Sequence, residues 1–119
     1  WNKIYYCLIM IKINIYRKNG KIIRFIVKGH ANYGEYGEDI VCSAVTTSAT
    51  QTLNGILELL KLEPDYKYSE GLIDCNFANI DLKGNEAELN ILLESMYKML
   101  EGISKEYSDK VKLIEKEES

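Results

Sequence analysis

Residues 11–27 read IKINIYRKNGKIIRFIV, and this run decides the fold. Ile11, Ile13 and Ile15 alternate with Lys12, Asn14 and Tyr16, which is the two-residue period of a strand with one buried face. Lys18-Asn19-Gly20 follows, and its Asn-Gly pair favours a two-residue hairpin turn. The return arm runs through Ile23, Phe25 and Val27, with Ile22 and Ile26 on its other face, so this strand is expected to be central in its sheet or covered on both sides. It ends at Gly29-His30.

Beyond the hairpin, residues 31–38 (ANYGEYGE) hold two glycines and two tyrosines with no sustained period, which predicts a loop. A helix is expected from about Asp39 through Ala44, Val45, Ala49, Leu53, Ile56, Leu57 and Leu60, stopping before Pro64. Its first half is rich in small and β-branched residues of modest helix propensity, so packing rather than propensity must hold it. Asp65 to Tyr68 and Leu72 to Phe77, joined by Ser69-Glu70-Gly71, form a second predicted hairpin. Asn85 followed by Glu88 resembles a capping box, and Leu89, Leu92, Leu93, Met96, Met99, Leu100 and Ile103 make the stripe of a second helix. Val111 and Leu113 between Lys110 and Lys112 predict a final edge strand, with Glu115 to Ser119 as a solvated tail. The order β-β-α-β-β-α-β makes an α+β fold, a two-layer sandwich of a mixed sheet with two helices on one face. The opposite face, with Ile22, Ile26 and Tyr66 or Tyr68, is apolar enough for a homodimer contact.

Composition narrows the functional classes. The chain has 119 residues, 46% of them apolar, which suits one core. Residues 1–9 are expected to be an N-terminal extension or a processing remnant, with Met10 as a native start and 10–119 as a single domain. Eighteen acidic residues against 15 basic ones give a net charge of -3, which argues against direct nucleic-acid binding. Cys7, Cys42 and Cys75 are odd in number and widely spaced, and the apolar stretch Tyr5 to Met10 is too brief to span a bilayer. A reducing, cytoplasmic protein without membrane contact is expected.

The only histidine, His30, stands at a strand end, and Cys42 follows twelve residues later, expected in the first turn of a helix. A helix N-terminus and a neighbouring imidazolium both favour a thiolate, and the histidine could protonate the leaving amine of a cut peptide bond. Backbone N–H groups of the first helical turn, at Cys42 and Ser43, would face a developing oxyanion. Each residue also has a structural reading. A helix-face cysteine can serve as a small hydrophobe, Asp39 can cap the helix, and the Thr46 hydroxyl can back-bond to a helix carbonyl instead of reaching the thiol. Capping is the favoured reading of Asp39, which could also orient His30 as a third triad member. Metal binding is not expected, because His30, Cys42 and distant Cys75 supply three ligands at best.

The stretch Gly29-His30-Ala31, Tyr36-Gly37 and Asp39-Ile40-Val41-Cys42-Ser43-Ala44-Val45-Thr46 closely resembles the signature of the ribosomal-processing cysteine protease family Prp. The resemblance extends more loosely over nearly the whole chain from Met10. It implies a cysteine endopeptidase, without cofactor, that removes the N-terminal extension of a large-subunit ribosomal protein, bL27, and works as a homodimer. It implies His30 and Cys42 as the catalytic pair and matches Asp39. The family's usual serine four residues after the cysteine is Thr46 here, which keeps a hydroxyl. Within the glycine-rich loop, Tyr33, Gly34, Tyr36 and Gly37 are candidate substrate contacts.

Two other readings stay open. A non-catalytic ribosome-assembly factor could hold a ribosomal protein's basic tail near Glu35, Glu38 and Asp39. An anion-binding module could use the Ser43, Thr46 and Thr47 hydroxyls, but lacks an adjacent basic residue. Only the protease requires a reactive Cys42.

Overall fold

Asn19 and Gly20 turn the chain at φ 52° and 79°, the pair of positive values that a two-residue hairpin of this hand requires, and they join β1 (Ile11–Lys18) to β2 (Lys21–Lys28). The computed structural model describes residues 10–29, 36–69 and 71–118. The expected extension, residues 1–9, lies outside them. Ile11, Ile13 and Ile15 are buried, as their alternation predicts.

The second strand departs from its expected facing. The antiparallel register pairs Tyr16 with Arg24 but Arg17 with Ile22, so Ile23 is an extra residue, a β-bulge. A one-residue shift reverses every later facing. Ile22 therefore joins Phe25 and Val27 in the core, and it does not contribute to the opposite face where the alternation had placed it.

Next come α1 (Tyr36–Glu58), β3 (Asp65–Ser69), β4 (Leu72–Asn76), α2 (Glu86–Glu106) and β5 (Val111–Glu118). The sheet order is β3-β4-β2-β1-β5, with β1 and β5 parallel and the other pairs antiparallel. This is the expected α+β fold, with both helices on one face of an open mixed sheet. The first helix packs against β4 and α2, and the second against β2 and β5. Val41, Val45, Ala49, Leu53 and Ile56 of α1 meet Leu89, Leu93, Met96 and Leu100 of α2 above the sheet. Tyr97 is also buried, whereas Met99, counted in the apolar stripe, is 56% exposed. Asn85 stands at the N-cap of α2 without a side-chain capping bond, so the predicted capping box does not form.

Two further corrections concern the edges. Tyr66 and Tyr68 pair with Cys75 and Ile73, whose side chains lie under the helices. Opposed residues share a face, so both tyrosines lie on the helix side of the sheet rather than on the bare side. The predicted C-terminal tail is instead the second half of β5, which continues beside β1 as far as Glu118.

Charge, not apolar packing, holds that second half. On the core-facing side of β1, Ile11, Ile13 and Ile15 are followed by Arg17. Its guanidinium donates to Glu94 Oε2 of α2 at 2.6 Å, Glu115 Oε1 of β5 at 2.7 Å and the Gly20 carbonyl at 2.8 Å. The same guanidinium stacks 4.9 Å from the centre of the Tyr97 ring. The Tyr97 hydroxyl offers its single proton to Glu115 Oε2 at 2.6 Å, with Glu101 Oε2 at 3.1 Å. Bonds from Tyr97 and then Arg17 hold the Glu115 carboxyl below the usual carboxylate range. A carboxyl lowered in this way stabilises the fold fully above that range, and the contribution is lost as pH falls through its folded value.

Replacing Arg17 with Met leaves Glu94 and Glu115 facing an apolar chain. Hydrogen bonds to charged groups are worth about 1.5–3 kcal/mol, and partial exposure places the expected loss near the lower end, about 2 kcal/mol at neutral pH. Urea unfolding should show this loss, and the gap to the unmodified protein should narrow as pH falls below the carboxylate range. A change under about 0.5 kcal/mol would mean that the network is incidental.

Candidate active site

The first helix begins at Tyr36, three residues before the expected start at Asp39. The backbone at Tyr36, Gly37 and Asp39 is thus already helical, and Asp39 occupies the first turn rather than the cap. Cys42 falls in the second turn, past the stretch over which the field of a helix end is felt. A helix leaves unpaired only the N–H groups of its cap and its first three residues, which within α1 are residues 36–38. The N–H groups of Cys42 and Ser43 lie beyond them. His30, Tyr33 and Gly34 lie outside the described residues.

Gly29, just after β2, holds the chain in a narrow passage. Its φ is +103°, a region that side chains disfavour, and its N–H donates to the Gly71 carbonyl at 3.0 Å. A Cβ at this position would come within 2.9 Å of the Met10 carbonyl oxygen and 3.3 Å of the Ile11 Cα. Only glycine fits where the chain leaves β2 between the start of β1 and the start of β4.

Cys42 sits beside the buried stripe of α1, half-buried and packed on its edge. Residues four apart lie one above another on a helix, so Cys42, Thr46 and Thr50 share one flank. The Thr46 Oγ1 lies 3.9 Å from the Cys42 Sγ. Its neighbours behave otherwise: Ser48 and Thr52 donate to the carbonyls of Ala44 and Ser48 at 2.9 Å each. The Thr46 hydroxyl is thus turned to the thiol. Further along the flank, Thr50 Oγ1 lies 3.2 Å from the hydroxyl of Tyr68 on β3. No signal in the sequence pairs those two residues.

The opposite flank of α1 faces α2. There Ser43, Ala44, Thr47 and Gln51 line an open groove of about 600 Å³ with Met99 and Ile103. The Ser43 side chain therefore points away from the Cys42 flank. Among the described residues no group of three or more His, Cys, Asp or Glu side chains could hold a metal ion.

Cys75 marks the contrast with Cys42. It lies on β4 at 0% exposure, and burial first, with Asp74 and Asp65 adding to it, pushes its thiol up to about 12. A thiol held protonated is a poor nucleophile and metal ligand.

The chain is similar to known proteins in both sequence and fold. The family model described as cysteine protease Prp matches residues 10–112. The ribosomal processing cysteine protease Prp of Staphylococcus aureus is 33% identical over 94 residues, covering 79% of this chain and 87% of its own length. That of Bacillus subtilis is 32% identical over 108 residues, covering 87% of this chain and 96% of its own. Among solved structures, SMU.848 from Streptococcus mutans superposes with a TM-score of 0.83 at 25% identity, over 92% of this chain and 99% of that one. The S. aureus ribosomal processing protease Prp in complex with a substrate peptide gives 0.77 at 30% identity, over 90% of this chain and 100% of that one.

Alkylation distinguishes the two thiols. Iodoacetamide near pH 8, read by peptide mass spectrometry, should label Cys42 in the folded protein and leave Cys75 unlabelled until denaturant is added. Equal labelling of both in the folded state would contradict the burial described for Cys75.

Proposed function

Because the chain belongs to the Prp family of ribosomal-processing cysteine proteases, we propose that it cuts the N-terminal extension from the large-subunit ribosomal protein bL27, with Cys42 as nucleophile and His30 as its acid–base partner. The observation that carries this reading is the position of Cys42. It is the one thiol among the described residues on an accessible flank, inside the matched segment, with a hydroxyl turned toward it. A related S. aureus structure holds a covalently linked product peptide, which supports a nucleophilic route.

The chemistry follows from these groups. The Cys42 sulfur attacks the scissile carbonyl carbon, and the tetrahedral intermediate collapses to a thioester as the C–N bond breaks. His30, having taken the thiol proton, gives it to the leaving amine; it then takes a proton from water, whose oxygen displaces the sulfur. Thr46 orients the thiol through its hydroxyl, and Asp39 acts on His30 from the first turn of α1. The oxyanion role passes from the N–H groups of Cys42 and Ser43 to the free ones of residues 36–38, because the helix begins earlier than expected. Tyr33, Gly34, Tyr36 and Gly37 line the peptide beside this helix end.

Membership of a protease family, rather than charge, separates this reading from a tail-binding assembly factor. Processing of a ribosomal protein implies work in the cytoplasm. The bare sheet face, with Ile26 and Ile114, supports a homodimer, although Ile22, Tyr66 and Tyr68 do not contribute to it.

Intact-mass analysis of a peptide carrying the bL27 extension tests the proposal. The unmodified protein should make one cut, and Cys42→Ala should make none while unfolding at the same urea concentration. Cutting by Cys42→Ala would overturn the assignment of the nucleophile.

A further inference from the structure

Beyond the Cys42 flank of α1, the sheet continues under no helix. All five residues of β3 are exposed, and Tyr66 and Tyr68, on the helix side, are 44% and 53% exposed, while their strand partners Cys75 and Ile73 are buried under α1. The strand ends the sheet, so its outer backbone edge has no strand partner among the described residues. The exposed Tyr66 and Tyr68 rings make a shelf beside α1, and the Thr50 hydroxyl lies 3.2 Å from that of Tyr68.

We propose that this shelf is a substrate subsite and that Tyr68 is a specificity-determining residue, with an apolar or aromatic substrate side chain lying against its ring; the inference rests on the Cys42 reading above. Three observations carry it. Cys42, Thr46 and Thr50 form one continuous flank that leads from the thiol to Tyr68. From Cys42 to Thr50 this flank bears a thiol and two hydroxyls, which suits neutral side chains. The unpaired edge of β3 offers alternating N–H and C=O groups, which is what an extended peptide pairs with when it adds to a sheet.

The spacing sets the position read. Thr50 is eight residues along α1 from Cys42, an axial distance of about 12 Å at the rise of an α-helix. An extended peptide covers that distance in about three to four residues. Tyr68 therefore reads the substrate side chain about three or four residues from the cut, on one side of it. The ring is the recognition element, and the bond to Thr50 orders it before substrate arrives, which lowers the entropy lost on binding. Tyr68 is a binding residue and takes no part in the bond-breaking steps.

The test uses three peptides from the proposed substrate. A long one reaches about six residues to either side of the cut, and two short ones are trimmed to about two residues on one side or the other. Tyr68→Ala should lower kcat/KM for the long peptide about tenfold, through KM. For one of the short peptides the unmodified enzyme should already be lower by a similar factor, and Tyr68→Ala should add no further loss. Tyr68→Phe, which keeps the ring, should lose no more than about threefold. Equal losses on all three peptides, or no loss on the long one, would overturn the subsite. Tyr68 is half-exposed, and equal urea midpoints for the variants will separate binding from folding. The Cys42 reading fails separately: if Cys42→Ala still cut the long peptide, the nucleophile would be wrong whatever the Tyr68 variants did.

Discussion

The close seating of α1 on the sheet is the constraint from which the candidate site follows. Val45, Ala49 and Ile56 are fully buried, and Val41 and Leu53 nearly so, in a stripe with small side chains at its middle. Small residues bring a helix axis near a sheet, and they fix its rotation because no long side chain can adjust to fill a gap. Successive helical residues differ by about 100°, so the residue after Val41 falls at the edge of the buried stripe. Cys42 is there, and Thr46 and Thr50 repeat the position turn by turn. Intrinsic propensity contributes little to this half of α1, so the orientation of the thiol is a property of the core.

The molecule divides its chemistry between the two sides of that core. Toward β1, β5 and α2, charged groups do the structural work: Arg17 joins two strands to a helix, and the Glu115 and Tyr97 partners complete a network in which every buried polar side-chain atom among the described residues is satisfied. Toward β3 and β4, α1 presents uncharged hydroxyls and the thiol. The acidic residues of β5 are at the far edge of the sheet. The acidic balance of the chain thus reflects the Arg17 network and the edge strand at least as much as any partner.

The sequence made local features legible and left those created by pairing obscure. The hairpin of β1 and β2 could be read because Asn19-Gly20 encodes its own turn. The facing of Ile22 could not, because a bulge depends on how two strands settle their register around a turn. The second half of β5 was hidden for a similar reason, since IEKEE shows no apolar alternation and becomes a strand only beside β1, where Arg17 meets Glu115. No capping signal marks the start of α1 at Tyr36, in a run of glycine, tyrosine and glutamate. The candidate chemistry was easier to read, because Cys42 with a hydroxyl four residues on is a helical spacing visible in one dimension. Tyr68 joins the same surface from 18 residues beyond Thr50, a proximity made only by the return of β3 beneath the helix.

Two cysteines under one helix show how little of a thiol's chemistry belongs to the residue itself. Cys75 lies on β4, inside the footprint of α1, and pays for that position in desolvation, with Asp74 and Asp65 opposing its ionisation further. Cys42 belongs to α1 itself, one helical step outside the buried stripe, where no carboxylate is among its described contacts. A rotation of α1 by one residue toward the core would place Cys42 in surroundings like those of Cys75, and one in the other direction would leave it in solvent. The accessible thiol therefore depends on an angle set by Val45 and Ala49, neither of which would touch a substrate. In a domain this small, the exposure of Cys42 is set by the packing of residues that have no chemistry of their own.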